Sequence, residues 1–450
     1  MSEPVPTPPT ALQGDSALVR AIGFSGLVAA IINIIVGAGI FMLPALLSTR
    51  MGAGAPLAFI AGALAIVPIA LCFAAVGSRA AATGGPYTYV SAAFGAFAGF
   101  IAGALMWICN VASSAGVAAA LLTQLANAWP VFGQALPRSA ALVALYALLI
   151  ALNAFGVKLG ARAIFVLAGL KLTPLFLLAG LGLLFVDWSQ VSWVEVPSWS
   201  ALGSSMVLVM FAYSGMETAL IPSGEVCDPA RQVPRATIAA ILLVVLLYIG
   251  LQIVCQGVLG ATLARSTAPI AQAAGMLWSP GLGLLLVTAC VSMAGFLMGN
   301  LLASSRLLFA LGRDGWLPLA FGRVTASHHV PLLAIAAHGG IACTLALMGS
   351  FEALALISGG AICLVYIAVS IAAWRAQQLG LRERGAPFVL PGGLLIPAIA
   401  VLSMIAVVAT LTLAEWVAIG AALAGIVLLY LASRHIRQRR LAMTNTAARG

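Results

Sequence analysis

Apolar stretches of about twenty residues recur along almost the whole chain, parted by short polar loops. Few folds satisfy that pattern. A run of that length, wound as a helix, matches the hydrocarbon thickness of a bilayer. Hydrocarbon offers no partner to a free N–H or C=O, so such runs fold as helices or as closed barrels. The alternating pattern of barrel strands is absent, which excludes an outer-membrane barrel. The spacing predicts about twelve spans: 23–47, 56–76, 97–129, 140–155, 163–186, 202–221, 236–259, 282–311, 331–348, 354–374, 394–413 and 416–431. Only 7% of the residues are charged, against roughly 25% in a soluble domain. The chain therefore reads as an all-α integral membrane protein.

The basic residues set its orientation. With the N-terminus in the cytoplasm, 17 of the 21 Lys and Arg residues fall in inner loops and tails. Arg50, Arg138 and Arg265 fall outside, and Lys171 lies within a span. This is a strong positive-inside bias. It supports an even number of spans and a bilayer, not a nucleic acid, as the partner of the positive charge. Residues 1–20 lack an apolar signal core and read as a disordered cytoplasmic tail. Residues 435–450 read as a second such tail. The seven cysteines lack metal-ligand spacing and read as small core residues.

Two spans are interrupted. The first carries Gly37-Ala38-Gly39, and the sixth carries Phe211-Ala212-Tyr213-Ser214-Gly215-Met216-Glu217. Backbone opened at membrane depth is tolerated only where it lines a cavity or holds a ligand. One break in each half predicts two repeats of five helices. Five is odd, so the second repeat is inverted, as in many secondary transporters. Residues 21–376 then form a transport core, with helices 11 and 12 (377–434) added to it. Pro44 and Pro222 suit helices that restart after each break. Gly95, Gly99 and Gly103 form a close-packing ridge at the third span.

A helix restarting near Gly39 presents the amides of Ala38, Gly39 and Ile40 to a carboxylate. The Ile35 carbonyl, ahead of the break, could accept from an ammonium. Glu217 is the one carboxylate well inside a span, where an unpaired charge is costly. Proton sensing, gating and a structural bond to nearby N–H groups all remain open for it. Lys171, near the middle of the fifth span, could replace a bound cation or carry a coupled proton. Asn110 and Phe211 are the side chains expected to meet substrate. His338 reads as a satisfied buried histidine. The absence of GxxxxGK[ST] and HExxH patterns leaves ATP drive and metalloprotease chemistry unsupported. No catalytic set and no cofactor motif stands out.

These residues resemble the amino acid–polyamine–organocation transporter superfamily and its LeuT-like fold. The likeness runs in order through Gly37-Ala38-Gly39-Ile40-Phe41, Gly84-Gly85-Pro86-Tyr87-Thr88-Tyr89, Phe211 to Glu217, Gly224-Glu225-Val226-Cys227-Asp228-Pro229, and Arg313-Asp314-Gly315-Trp316-Leu317-Pro318. Within the superfamily, Trp107-Ile108-Cys109-Asn110 is similar to the third helix of bacterial arginine/agmatine antiporters, whose asparagine lines the substrate site. That likeness implies that Ile35, Phe211 and Ser214 offer carbonyls to a substrate ammonium, while Ala38 and Gly39 hold its carboxylate; Gly37 completes the glycine cradle read from the break itself. It puts Phe211 on a gating tryptophan, Glu217 on a glutamate implicated in pH sensing, and Asn300 on a second tryptophan. Ala38 stands where those antiporters have serine, and Lys171 where they have an uncharged residue. Lys171 instead resembles the helix-5 lysine of proton-coupled members, held to occupy a sodium position, with Ser292 nearby.

The expectation is a secondary transporter of amino acids or related amines in a bacterial inner membrane, with both termini cytoplasmic. It would work by proton-coupled symport or substrate exchange. Arginine/agmatine-type exchange is the alternative, followed by a uniporter, a channel or a substrate-sensing receptor. A homodimer is left open.

Overall fold

The structure is a computed structural model. It describes residues 22–80, 84–156, 161–192, 198–221, 226–325, 328–382 and 385–447. The tail at 1–20, Pro222 and the pair Gly224-Glu225 lie outside these residues.

Every predicted span is helical, and the described residues form no β-strand beyond a single isolated bridge, Ile22 to Val226. The first span is two helices, α1 (Phe24–Ile35) and α2 (Ala38–Met51). Then follow α3 (Ala55–Gly77), α4 (Pro86–Phe94), α5 (Ala96–Ala128), α6 (Ala135–Ala154) and α7 (Ala161–Leu181). The sixth span is again two pieces, α8 (Trp199–Tyr213) and the single turn α9 (Met216–Ala219). The second half continues with α10 (Pro229–Leu259), α11 (Pro269–Leu277), α12 (Gly281–Arg313), α13 (Leu332–Met348) and α14 (Phe351–Gln378). It ends with α15 (Leu395–Val408) and α16 (Leu413–Ala447). The chain is thus an all-α, multi-pass membrane protein with interrupted helices 1 and 6.

Two short helices, α4 and α11, were not foreseen. Each opens with proline at its first position, where the missing N–H costs nothing. One follows the second span and the other the seventh. The twofold pattern of broken first helices thus extends to the short connectors, as five-helix repeats require.

Three local readings change. Pro44 lies inside α2 and not at its start. The glycine ridge packs mainly against α4: a Cβ on Gly99 would lie 2.6 Å from Ser91 Cβ and 2.9 Å from the Tyr87 carbonyl oxygen. The ridge therefore folds α4 back onto its own following helix. The twelfth span does not stop at Leu431 but continues as helix to Ala447, so 435–447 is helical backbone where an unstructured tail was expected.

The core surrounds the two breaks. Tyr213 and Tyr248 stack at 5.5 Å, with Phe59 edge-on to both, tying α3, α8 and α10 together. This aromatic knot fixes the direction in which the Tyr248 hydroxyl points.

Candidate functional site

The first break is a tight turn. Val36 (φ −75°, ψ 73°) has inverse γ-turn geometry, and the Gly37 N–H donates to the Ile35 carbonyl at 2.7 Å. The turn frees carbonyls at the end of α1, and three other helices satisfy them. Lys171 Nζ, from α7, donates to the Asn33 carbonyl at 2.7 Å and the Val36 carbonyl at 3.0 Å. Ser292, from α12, donates to the Val36 carbonyl at 2.6 Å. Tyr248, from α10, donates to the Ile35 carbonyl at 3.0 Å. Beyond the turn, the first amides of α2 precede any helical acceptor, and no side chain caps them. Carbonyls and an ammonium thus crowd one side of the break, and free amides face away from the other.

The second break presses on the first. Ser214 is extended, and Gly215 sits at φ 133°, a conformation that side chains rarely allow. A Cβ on Gly215 would lie 3.0 Å from the Ile35 nitrogen and 3.1 Å from the Ile34 carbonyl carbon. A Cβ on Gly39 would lie 2.9 Å from the Ala212 Cα. Each break therefore uses a glycine to bring its backbone against the other, at two separate points.

Side chains close the space around this crossing. Phe211 meets Phe351 of α14 edge-on at 5.8 Å, and its carbonyl accepts from the Ser214 hydroxyl at 2.7 Å. Asn110 is only 3% exposed. Its Oδ1 accepts from Thr218 at 3.3 Å, and its Nδ2 has no partner among the described residues. Ala38, Gly39, Phe211 and Ser292 are buried with it. Arg50, in the last turn of α2, pairs with Glu352 at the start of α14. Gly84 N–H donates to the Ile221 carbonyl at 3.0 Å and Tyr87 donates to Asp314 at 2.7 Å.

The sequence-predicted residues divide into groups. Gly37, Ala38, Gly39, Asn110, Phe211 and Ser214 gather at the crossing, and Lys171 with Ser292 gather behind it. The Ile35 carbonyl is already engaged twice, by Gly37 and Tyr248, so its place as an open acceptor is lost in this conformation. Asn300 is not beside Gly37. The ring there is Phe296, 3.3 Å from where a Gly37 Cβ would stand. Asn300 lies one turn further along α12, and the bond to its Oδ1 comes from Ser304 at 3.5 Å. Glu217 accepts from the Gly215 N–H at 2.8 Å and from Tyr366 at 2.9 Å. Both oxygens thus hold the second break to α14, the structural bond considered for it from the sequence. His338 is not satisfied: neither ring nitrogen has a partner among the described residues.

Tyr248, Phe296 and Tyr366 were missed. A signal existed for the tyrosines, since a buried phenol hydroxyl usually finds an acceptor. Phe296 carried none, because one apolar ring within an apolar span looks like any other.

The comparisons agree with this architecture. Residues 22–437 match the family described as amino acid permease. A branched-chain amino acid permease of Bacillus subtilis (strain 168) is 26% identical over 415 residues, covering 87% of this chain and 88% of its own. An uncharacterized transporter of Mycobacterium bovis is 30% identical over 438 residues, covering 95% and 94%. A serine/threonine exchanger of Bacillus subtilis (strain 168) is 28% identical over 385 residues, covering 82% and 86%. On the family match over nearly its whole length, the chain belongs to the amino acid permease family and is a membrane transporter, not an enzyme.

Proposed function

We propose that the chain carries uncharged α-amino acids across a bacterial inner membrane by alternating access, with Lys171 coupling transport to protons. The observation behind this reading is the first break itself. Its uncapped α2 amides suit a carboxylate, and the peptide immediately before them is held by the Lys171 ammonium. A proton leaving Lys171 would remove the charge that ties Asn33 and Val36 to α7. The α1 end would then be free to shift relative to α2. Coupling needs no longer path than the Val36–Gly37 peptide. Sodium is not required in this scheme, because the ammonium occupies the carbonyl cluster that a cation would need.

The carboxylate would rest on Ala38 and Gly39, and the ammonium near the last carbonyls of α8, at Phe211 and Ser214. The side chain then faces Phe211, Phe296 and the free Nδ2 of Asn110. Glu217 is 1% exposed and already holds the Gly215 N–H and the Tyr366 hydroxyl, one on each oxygen, so a cationic side chain would compete with the bonds that fix the break. This favours neutral substrates over arginine/agmatine-type exchange. The branched-chain and serine/threonine relatives fit a site of two rings and one amide. We place both termini in the cytoplasm, as the distribution of basic residues supports. Residues 21–376 form the transport core in this reading, and helices 11 and 12 stand outside it.

Purified protein in proteoliposomes should take up labelled leucine or serine saturably, with unlabelled neutral amino acids competing and arginine not. Faster arginine/agmatine exchange than neutral uptake would overturn the reading. Asn110→Ala should raise the KM for the preferred substrate about tenfold, the loss of one hydrogen bond to a charged or polar ligand group. Thermal stability should fall only modestly, through loss of the single bond from Thr218 to Oδ1, since Nδ2 has no partner among the described residues to lose. A wild-type KM would remove Asn110 from the site.

A further inference from the structure

Away from the crossing, a cavity of about 350 Å³ opens where the end of α6, the last third of α12 and the start of α13 meet. Its size is within the range of small-ligand sites, about 300–1,000 Å³. Its polar lining is one-sided. Arg306 and His329 contribute donors, and no carboxylate lines it among the described residues. Arg306 is half-buried and has no hydrogen bond or ion pair among the described residues. A guanidinium set into a membrane protein at this depth is normally paired. His329 is held at φ 52°, rare for a residue with a side chain. His328 lies edge-on to Phe155 at 5.7 Å.

Asn153 supplies a second, independent sign. It lines the same cavity and is 2% exposed. Its Nδ2 donates to the Leu149 carbonyl at 2.9 Å, which fixes the amide, and its Oδ1 has no partner among the described residues. The cavity therefore offers donors for an anion and one buried acceptor for a hydroxyl. Leu302, Pro331 and Ile335 give it an apolar wall. Phe155, which also lines it, is exposed. Arg306 is seven residues, about 10 Å of helix, from the end of α12 at Arg313. That depth is where headgroups meet the hydrocarbon on the face we assign to the cytoplasm.

We propose that this cavity binds the headgroup of an anionic phospholipid with a free hydroxyl, of the phosphatidylglycerol type. Arg306 grips the phosphate with its planar fork of donors. His329 flanks the phosphate, and the headgroup hydroxyl donates to Asn153 Oδ1. Basic pockets between helices on the cytoplasmic side are suited to such headgroups. The site uses no residue of the crossing, so its test is separate from that of the transport reading.

Native mass spectrometry of the full chain, in detergent with added phosphatidylglycerol or phosphatidylcholine, reads the site directly. Phosphatidylglycerol should stay bound where phosphatidylcholine is lost. Arg306→Gln should weaken that retention about tenfold, the loss of a charge-assisted bond. His329→Asn, which tolerates the positive φ, should weaken it by a smaller factor. It carries the test if the arginine variant fails to fold. Millimolar inorganic phosphate should not displace the lipid. Equal retention of both lipids, unchanged retention in both variants, or full displacement by inorganic phosphate would each overturn the proposal.

Discussion

Lys171→Gln should abolish concentrative uptake while leaving exchange intact. Glutamine keeps an N–H donor near the Asn33 and Val36 carbonyls, so the break retains part of its support. It cannot take up or release a proton. A pH difference of one unit, acid on the side of substrate entry, supplies about 1.4 kcal/mol per proton. With one proton per substrate, that supports accumulation of up to about tenfold. Wild-type proteoliposomes should approach that ratio, and the variant should stop near equality across the membrane. Counterflow of labelled against unlabelled substrate needs no net proton movement and should persist. A variant that still concentrates substrate under the gradient would make Lys171 a structural donor only. Loss of counterflow together with accumulation would show that the break had collapsed. Lys171→Arg then separates the two roles, since arginine stays charged: it should restore the bonds and exchange but not accumulation.

The sequence reached this machinery unevenly, for physical reasons. The two breaks were legible because hydrocarbon penalises open backbone so strongly that glycines at mid-span demand an explanation. Lys171 was legible by the same logic, as a lone cation in an apolar run. The interlock was not. Which atom Gly39 or Gly215 approaches depends on how α2 and α8 cross, and no periodicity encodes that. Asn300 was named by likeness to a tryptophan of similar carriers, and Phe296, one turn earlier on the same helix, is the residue that meets Gly37. α4 and α11 escaped notice because each is nine residues long, too short to register as a span. The role of Glu217 needed coordinates as well. Only they show Gly215 and Tyr366 engaging its two oxygens.

The interlock makes the second large prediction. Gly39 first reads as a cradle for a carboxylate, and on that reading a larger residue blocks substrate without harming the fold. The structure separates these expectations. An added Cβ would lie 2.9 Å from Ala212 Cα and 3.0 Å from Ala212 Cβ, closer than real Cβ contacts come. Backbone on α8 must move, and overpacking of this kind costs about 1–3 kcal/mol. Gly39→Ala should therefore lower the thermal transition and also cut saturable uptake by about tenfold or more, because the displaced turn carries the substrate amides. Gly37→Ala is the contrasting case. Its new methyl meets the Phe296 ring at 3.3 Å and otherwise the Ile34 carbonyl oxygen at an ordinary 3.8 Å, and a ring can turn aside. That variant should keep its thermal transition and change KM, and Phe296→Leu in the same chain should bring KM back toward wild type. If Gly39→Ala matches wild type in both stability and uptake, the crossing is looser than described. The two breaks would then not move as a unit. If Gly37→Ala proves the more damaging of the two, the substrate cradle lies on the Gly37 side of the turn, with Gly39 left to packing alone.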